Sequence, residues 1–252
     1  MPVQIQGGHY NPAMSSNFHF TFQNLKRQLA DVLENGYQCT TCAGYVELKR
    51  IGLPPLTWVN RVDIDVSVPK AGRLAGIFDE LGVKGTFFVR LHANEYNPFS
   101  FENYKVLKAI RDAGHELGYH SEVIDQATIW DEDALACLRR DVDVLERMFD
   151  IKVVGVASHG GMTGLNNLDF WNGKKPSDLG FAYEGYDEEE EFGLFNNCYY
   201  VSDSEWTRWK CYNNGQLVGG DRRSIGEHAA DKHPLLHTLI HPETYFDAHF
   251  YE

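Results

Sequence analysis

The chain has 252 residues and carries 36 acidic against 23 basic side chains, a formal net charge of −13. Because no basic surplus is available to pair with phosphates, neither nucleic acid nor an anionic membrane surface is an expected partner. A chain of this length can bury a large core as one domain, since α/β barrels often reach this size undivided.

Targeting signals and cysteine spacing bear on the location of the chain and on disulfide or metal chemistry. Residues 1–16 are polar and lack a basic region followed by an apolar one, and no apolar run is long enough to span a bilayer. A cytoplasmic location is therefore expected. Five cysteines, an odd number, do not indicate a disulfide framework. Cys39 and Cys42 form a lone CxxC, which by itself is weak evidence for a structural zinc or a redox pair.

The N-terminal quarter differs in pattern from the rest. Residues 17–35 predict an amphipathic helix, because apolar side chains recur at helical spacing and Gly36 follows as a stop signal. Residues 37–56 show a mixed pattern. We therefore expect residues 1–57 to form a prefix packed on a main domain of residues 58–252.

In the main domain, strand-like and helix-like segments alternate. The predicted elements are strands at 59–68, 83–91, 115–120, 152–157, 199–201 and 235–240, and helices at 70–81, 100–113 and 131–149. This β-α-β alternation predicts an α/β fold in which parallel strands are joined by right-handed crossovers.

The first of these strands carries two acidic side chains. Asp63 and Asp65 are expected on one face of it, since successive side chains alternate along a strand. Two carboxylates this close repel each other unless a positive group lies between them. One can bind a cation while the other is held by a partner or acts as a base. The other interpretation is a pair of acids at an exposed strand end.

Polar residues also follow the later strands. They are Arg90 and His92, His120, Ser158 and His159, Ser202 and Asp203, and His241. Because the carboxyl ends of parallel strands share one edge, we expect these side chains to converge. Imidazole and carboxylate together suit a metal of the zinc or iron class. Such a metal polarises a carbonyl while a carboxylate takes a proton from water and a histidine protonates the leaving group.

Four motifs in order give these residues a family context. They are Asp63-Ile64-Asp65, Gly85-Thr86-Phe87-Phe88, Gly114-His115-Glu116-Leu117-Gly118-Tyr119-His120 and Ile240-His241-Pro242. The set, which spans residues 58–246, resembles the motifs of polysaccharide deacetylases with the NodB-homology domain. Residues 159–171 and 202–209 resemble an outlying branch found among bacterial surface-polysaccharide biosynthesis proteins.

The resemblance implies a fold and a reaction. The expected fold is a distorted, incomplete (β/α) barrel of about seven parallel strands, and the expected activity is metal-dependent removal of an N-acetyl group from an amino sugar. Asp63 matches the catalytic base, Asp65 and His120 match metal ligands, and His241 matches the general acid. Zinc is the expected ion, with iron, cobalt or nickel as alternatives.

The chain departs from the family at the third metal ligand. The family places a second histidine four residues after His120, where this chain has Ile124. We prefer His159 as the third ligand, ahead of Asp125 and Glu122. In the corresponding family segment a backbone N–H stabilises the oxyanion, a role that the glycines after His159 still permit. The residues expected to contact the substrate are Gly160, Asn167, Asp203 and Trp206.

Two functions of different classes follow. The first is a hydrolase acting on a small amino sugar or sugar conjugate in glycan biosynthesis, or on another amide or formyl group. The alternative is a non-catalytic carbohydrate-binding or complex-forming protein on a degenerate deacetylase barrel. The third ligand separates them, because Asp65 and His120 alone make a weak metal site. The sequence does not indicate an oligomeric state.

Overall fold

A computed structural model describes residues 19–248, so residues 17 and 18 of the first predicted helix lie outside it. The strands within that range are β1 Gln38–Thr40, β2 Thr57–Ile64, β3 Thr86–Val89, β4 Glu116–Ser121, β5 Gly155–Ser158, β6 Tyr183–Glu184, β7 Tyr199–Ser202, β8 Lys210–Asn213, β9 Gln216–Leu217 and β10 Leu235–Ile240. The α-helices are α1 Phe22–Glu34, α2 Cys42–Ile51, α3 Val68–Leu81, α4 Phe101–Asp112, α5 Val123–Trp130, α6 Ala134–Phe149 and α7 Ile225–Ala229. No helix of the described range is long and apolar enough to cross a membrane.

The strands form one mostly parallel sheet. Its order is β6-β5-β4-β3-β2-β10-β7-β8-β9, with seven parallel strands from β6 to β7 and two antiparallel strands at the other end. Between residues 19 and 248 no ladder joins β6 to β9, so the sheet is open. The predicted α/β fold with about seven parallel strands in an incomplete barrel is therefore confirmed.

The predicted prefix contributes to this sheet. Strand β1 pairs in parallel with the first three residues of β2, on the edge that β3 occupies from Arg61 onward. Helix α1 packs against α7, near the other end of the chain. The division of the chain at residue 57 stays a prediction.

Strand β2 ends earlier than the predicted range 59–68. Its last residue is Ile64, and α3 begins at Val68 after Ser67, whose side chain accepts a hydrogen bond from the Lys70 N–H. Pro69 lies in the first helical turn, where the N–H that proline lacks is not needed. Asp65 therefore lies in the turn between β2 and α3 and not on the strand itself.

Helix α5 was not predicted, and the predicted helix 131–149 begins later, as α6. The N-cap residue of α5, Glu122, makes no side-chain hydrogen bond to the backbone N–H groups of the first helical turn. Instead, the backbone N–H groups of Ile124 and Asp125 donate to the side-chain oxygen of Asn167, more than 40 residues away. The signal for this helix start is not local, which explains why the sequence pattern did not reveal it.

Side chains alternate between two apolar clusters along β2. Val62 and Ile64 join the larger cluster, formed with the helices, whereas Val59 joins a smaller one on the opposite face. Arg61 and Asp63 share the face of Val59, as the period of a strand requires. The sheet thus brings two buried charges to one face, near its carboxyl edge.

The packing of β5 against β6 gives a test of the fold. A Cβ at Gly155 would lie 2.1 Å from the ring of Tyr183, which stacks on Phe192. We expect Gly155→Ala to lower the free energy of unfolding by about 1–3 kcal/mol, because the ring must move. Gly76→Ala, inside α3 with nothing within 4 Å, is the matched control and should raise it by roughly 0.5–1 kcal/mol. Urea unfolding measures both, and equal stabilities would contradict this packing.

Candidate active site

A cavity of about 290 Å³ opens at the carboxyl edge of the sheet. Six of the nine predicted site residues line it: Asp63, Asp65, His120, His159, Gly160 and His241. They come from the ends of β2, β4, β5 and β10. The predicted convergence of these strand ends is therefore present in the structure. Asn167, Asp203 and Trp206 are not among the lining residues, and their positions are described below.

Asp63 is held by an arginine that the sequence analysis did not single out. Arg61 donates from Nε and Nη2 to the two carboxylate oxygens of Asp63, each at 2.8 Å, and both side chains are buried. Burial raises the pKa of Asp63, but the charges of Arg61 and His120 outweigh burial and bring the pKa below its usual value. Asp63 is thus an ionised, fixed carboxylate. In the sequence, the indication of this pair is that Arg61 and Asp63 are two positions apart and therefore share one face of a strand.

Asp65 and two imidazoles face each other across the cavity. His120 Nε2 lies 3.3 Å from Asp65 Oδ1 and 3.4 Å from Asp63 Oδ2, and His159 Nε2 lies 3.9 Å from Asp65 Oδ1. That Asp65 oxygen is buried and receives no well-aligned hydrogen bond. His120 Nδ1 lies 2.8 Å from the Ala157 carbonyl oxygen. A proton held there leaves Nε2 free as a ligand in the neutral ring.

This donor set fits a metal of the zinc class, which takes imidazole nitrogen and carboxylate oxygen. The donor atoms of Asp65, His120 and His159 are not, however, all within 4.8 Å of one another. In the described range, two other clusters meet that limit, both near His228. Asp65, His120 and His159 would therefore hold an ion only after a shift of their side chains.

Glu122 lies on the Nδ1 side of the His159 ring, whereas Asp65 lies on the Nε2 side. Its Oε1 accepts hydrogen bonds from Arg90 Nε at 3.1 Å and Arg90 Nη2 at 2.7 Å, and it lies 3.5 Å from His159 Nδ1. A carboxylate on the far nitrogen of an imidazole orients the ring and raises its basicity. Glu122 therefore supports His159 and is itself poorly placed as the third ligand.

Asp125 is also committed elsewhere. Its carboxylate accepts hydrogen bonds from the Met162 N–H, the Thr163 N–H and hydroxyl, and the Asn167 amide. Asn167 is fully buried and joins this network to the start of α5, so its predicted substrate contact is replaced by a role in holding the loop after His159. Among the three ligands considered, the geometry favours His159.

The two glycines after His159 have different surroundings. A Cβ at Gly161 would lie 1.5 Å from the Leu165 carbonyl oxygen, so the loop closes only with glycine there. Gly160 lines the cavity. The N–H groups of Ser158 and His159 are already bonded, to Glu184 and Ser121 respectively. Gly160 is thus the candidate backbone donor of this segment, because it adjoins the cavity.

His241 forms a tight pair with Asp203. Its Nδ1 lies 2.6 Å from Asp203 Oδ1, and its backbone N–H donates to the same carboxylate. Burial lowers the pKa of His241, but the charge of Asp203 outweighs it and raises the pKa to about 10. His241 Nε2 lies 3.7 Å from Asp65 Oδ2. Asp203 is fully buried, so it positions His241 and does not reach a substrate as predicted.

Trp206 lies at the cavity rim. Half of its side chain is exposed, and its ring centre is 5.9 Å from that of His241. The CxxC cysteines show no feature of a reactive pair: Cys39 Sγ donates to the Lys84 carbonyl, and burial raises the pKa of Cys42 to about 12. Both thiols are therefore protonated near neutral pH.

By sequence, no known family and no curated protein matches this chain. Among solved structures, the deacetylase PplD from Streptococcus pyogenes, in complex with acetate, is 17% identical, with a TM-score of 0.41 over 52% of this chain and 59% of that one. IcaB from Ammonifex degensii is 17% identical, with a TM-score of 0.48 over 64% and 74%. The chitin deacetylase from the fungal pathogen Colletotrichum lindemuthianum is 14% identical, with a TM-score of 0.40 over 73% of each chain.

Two of these three structures are deacetylases by name.

The His241–Asp203 pair predicts a pH dependence. Because the folded pKa of about 10 lies above the ordinary 6.5, the pair stabilises the protein fully below pH 6.5 and loses that contribution as pH rises through about 10. We expect Asp203→Asn to be less stable than wild type below pH 6.5, with the difference shrinking towards pH 10. Urea unfolding in the presence of a chelator measures this.

Asp178→Asn, which changes an exposed carboxylate, is the control and should match wild type throughout. A difference between Asp203→Asn and wild type that does not change with pH would show that the pair contributes no titrating charge.

Proposed function

We propose that this chain is a metal-dependent hydrolase that removes the N-acetyl group of an amino sugar or sugar conjugate. The observation that carries the proposal is the buried Asp65 Oδ1, which has no aligned hydrogen bond and faces the Nε2 atoms of His120 and His159. It lies beside Asp63, a carboxylate that Arg61 keeps ionised. Cation ligands and a base thus share one cavity.

The residues divide the work as follows. Asp65, His120 and His159 would hold the ion, which when bound polarises the acetamide carbonyl and acidifies a water molecule. Asp63 accepts the proton as the water oxygen bonds to the carbonyl carbon, and Arg61 fixes the orientation of that carboxylate.

The second half of the reaction uses the other side of the cavity. Gly160 lines the cavity, and its N–H would stabilise the developing oxyanion. When the C–N bond breaks, His241 donates its Nε2 proton to the leaving amine, while Asp203 holds Nδ1. The products are acetate and a free amino sugar. The raised pKa of His241, about 10, keeps the donor protonated near neutral pH.

The walls of the cavity support a sugar substrate. Four aromatic side chains line it: Tyr186, Phe195, Tyr200 and Tyr212. Aromatic rings with polar tips pack against the apolar faces of sugar rings while bonding hydroxyl groups. A volume of about 290 Å³ is at the small end of ligand sites, which favours a small amino sugar or the end of a conjugate over a polymer segment. A hydrolase acting on such a small amino-sugar substrate would work in glycan biosynthesis.

The incomplete convergence of the three ligands supports the alternative, a non-catalytic carbohydrate-binding protein. Elemental analysis and acetate release from N-acetylated amino sugars separate the two. We expect Asp65→Ala and His159→Ala each to lose about one metal ion per chain relative to wild type, together with hydrolysis.

The matched control is His92→Ala, a histidine bonded to Asp141 outside the cavity, which should keep both metal and activity. If wild type and Asp65→Ala hold the same amount of metal and neither releases acetate, the binding-protein alternative is correct.

His241 has a separate test. We expect His241→Gln to keep the metal and the substrate KM while kcat falls by about 10²–10⁴, because a general acid contributes that much. Steady-state kinetics and metal content measure the two effects. Since Nε2 is 3.7 Å from Asp65 Oδ2, metal loss in His241→Gln would instead make this histidine a ligand.

Glu122 is expected to act through His159. We expect Glu122→Gln to weaken metal affinity by about 10–100-fold, because a carboxylate behind a ligand imidazole contributes that much. Competition with a chromogenic chelator measures the affinity. Glu95→Gln is the control, since Glu95 contacts the same Arg90 at 3.4 Å, whereas the carboxylate that approaches His159 Nδ1, at 3.5 Å, is that of Glu122. Equal affinities of the two variants would remove Glu122 from the site.

A further inference from the structure

A second cluster of metal-ligating side chains lies where β8, the loop after β9 and α7 meet. Cys211 Sγ is 3.4 Å from His228 Nε2, and the same nitrogen is 3.5 Å from Asp221 Oδ1. Cys211 and His228 are fully buried. We propose that Cys211, Asp221 and His228 bind a second divalent metal ion of the zinc class, independent of the catalytic cavity.

The spacing of the donor atoms supports the proposal. Zinc bonds of about 2.3 Å to sulfur, 2.0–2.1 Å to nitrogen and 2.0–2.2 Å to oxygen, at tetrahedral angles, separate sulfur from nitrogen by about 3.5 Å and nitrogen from oxygen by about 3.4 Å. The separations of 3.4 and 3.5 Å in this cluster match those values. Two of the three donor separations thus already match one coordination shell, and all three donor atoms lie within 4.8 Å of one another.

The charges around the cluster also favour a cation. Arg223 bridges Asp221 at 2.9 Å and Asp231 at 2.7 Å, so one positive charge stands against two negative ones. Metal binding releases the Cys211 proton to solvent, and the thiolate adds a third negative charge. A divalent cation then brings the sum to zero. Without the cation, these partly buried side chains keep an excess negative charge.

His228 is poised to act as a ligand. Burial lowers its pKa to about 4, so the ring is neutral near pH 7. Its Nδ1 is buried without a hydrogen bond and lies 3.8 Å from Asp231 Oδ2. A proton on Nδ1 leaves the lone pair of Nε2 directed towards Cys211 and Asp221.

The other side of the same ring offers a weaker set. Asp231 and His233 lie there, with separations of 3.8 Å from His228 to Asp231 and 3.7 Å from Asp231 to His233. Asp231 Oδ2 is bonded to Arg223 at 2.7 Å, and the His233 ring stacks on Tyr199. Both carboxylates, Asp221 and Asp231, are bonded to Arg223, but the cysteine side is the better site because it adds a fully buried thiol, whereas Asp231 is exposed. An ion there would tie β8 to α7, the helix that packs against α1.

Cobalt substitution tests the site because it reports the sulfur ligand. No cysteine lines the catalytic cavity, so a thiolate-to-cobalt charge-transfer band in the near ultraviolet cannot come from an ion bound there. We expect the band in the wild-type protein loaded with Co²⁺, its retention in Asp65→Ala and its loss in Cys211→Ser. Cys198→Ser, which changes another buried free cysteine, is the matched control and should keep the band.

A wild-type protein without the band at saturating Co²⁺, or a band that persists in Cys211→Ser, would overturn the proposal. A second measurement does not depend on the folding of Cys211→Ser. Asp65→Ala should retain about one metal ion per chain, and EDTA should lower its Tm. An Asp65→Ala protein without metal, with a Tm unchanged by Zn²⁺ or EDTA, would overturn the proposal even if the catalytic assignment holds.

Discussion

The buried ion pair between Arg61 and Asp63 is the interaction on which the cavity depends. Both residues are at most 2% exposed and lie two positions apart on one face of β2. Removing one partner of such a pair costs about 3–5 kcal/mol, because the other charge is left buried and unpaired. With Asp63 fixed as an anion, His120 and Asp65 enclose a place where a cation is favoured. Either a proton or a metal ion can supply the positive charge at that place.

Opposite charges alternate across the whole site. From β2 to β10 the order is Arg61, Asp63, His120, Asp65, His241 and Asp203. Each buried carboxylate therefore has a positive or protonated neighbour, which offsets the cost of burial. This arrangement explains why Asp203, which does not line the cavity, still matters: its charge is the largest influence that opposes the lowering of the His241 pKa by burial.

The sequence predicted the parts of the site that depend on local pattern and parallel topology. The apolar run of β10 was predicted to the residue, and the strand ends that carry Asp63, His120 and His241 follow from alternating strands and helices. Arg61 was missed because the sequence pattern of a strand does not distinguish an arginine exposed to solvent from one that is buried and paired with Asp63. The cap of α5 was missed because Asn167 supplies it from a distant loop, and non-local hydrogen bonds leave no periodicity.

The distant cap of α5 also bears on the proposed third metal ligand, His159. Ile124, where the family pattern has a metal histidine, packs on the larger apolar cluster, and its N–H is bonded to Asn167. Asn167 in turn holds Asp125, which fixes the loop that follows His159. Asn167 thus holds both the start of α5 and, through Asp125, the loop that follows His159. The proposed use of His159 as third ligand is consistent with this arrangement, in which Asn167 acts on the cavity through that loop.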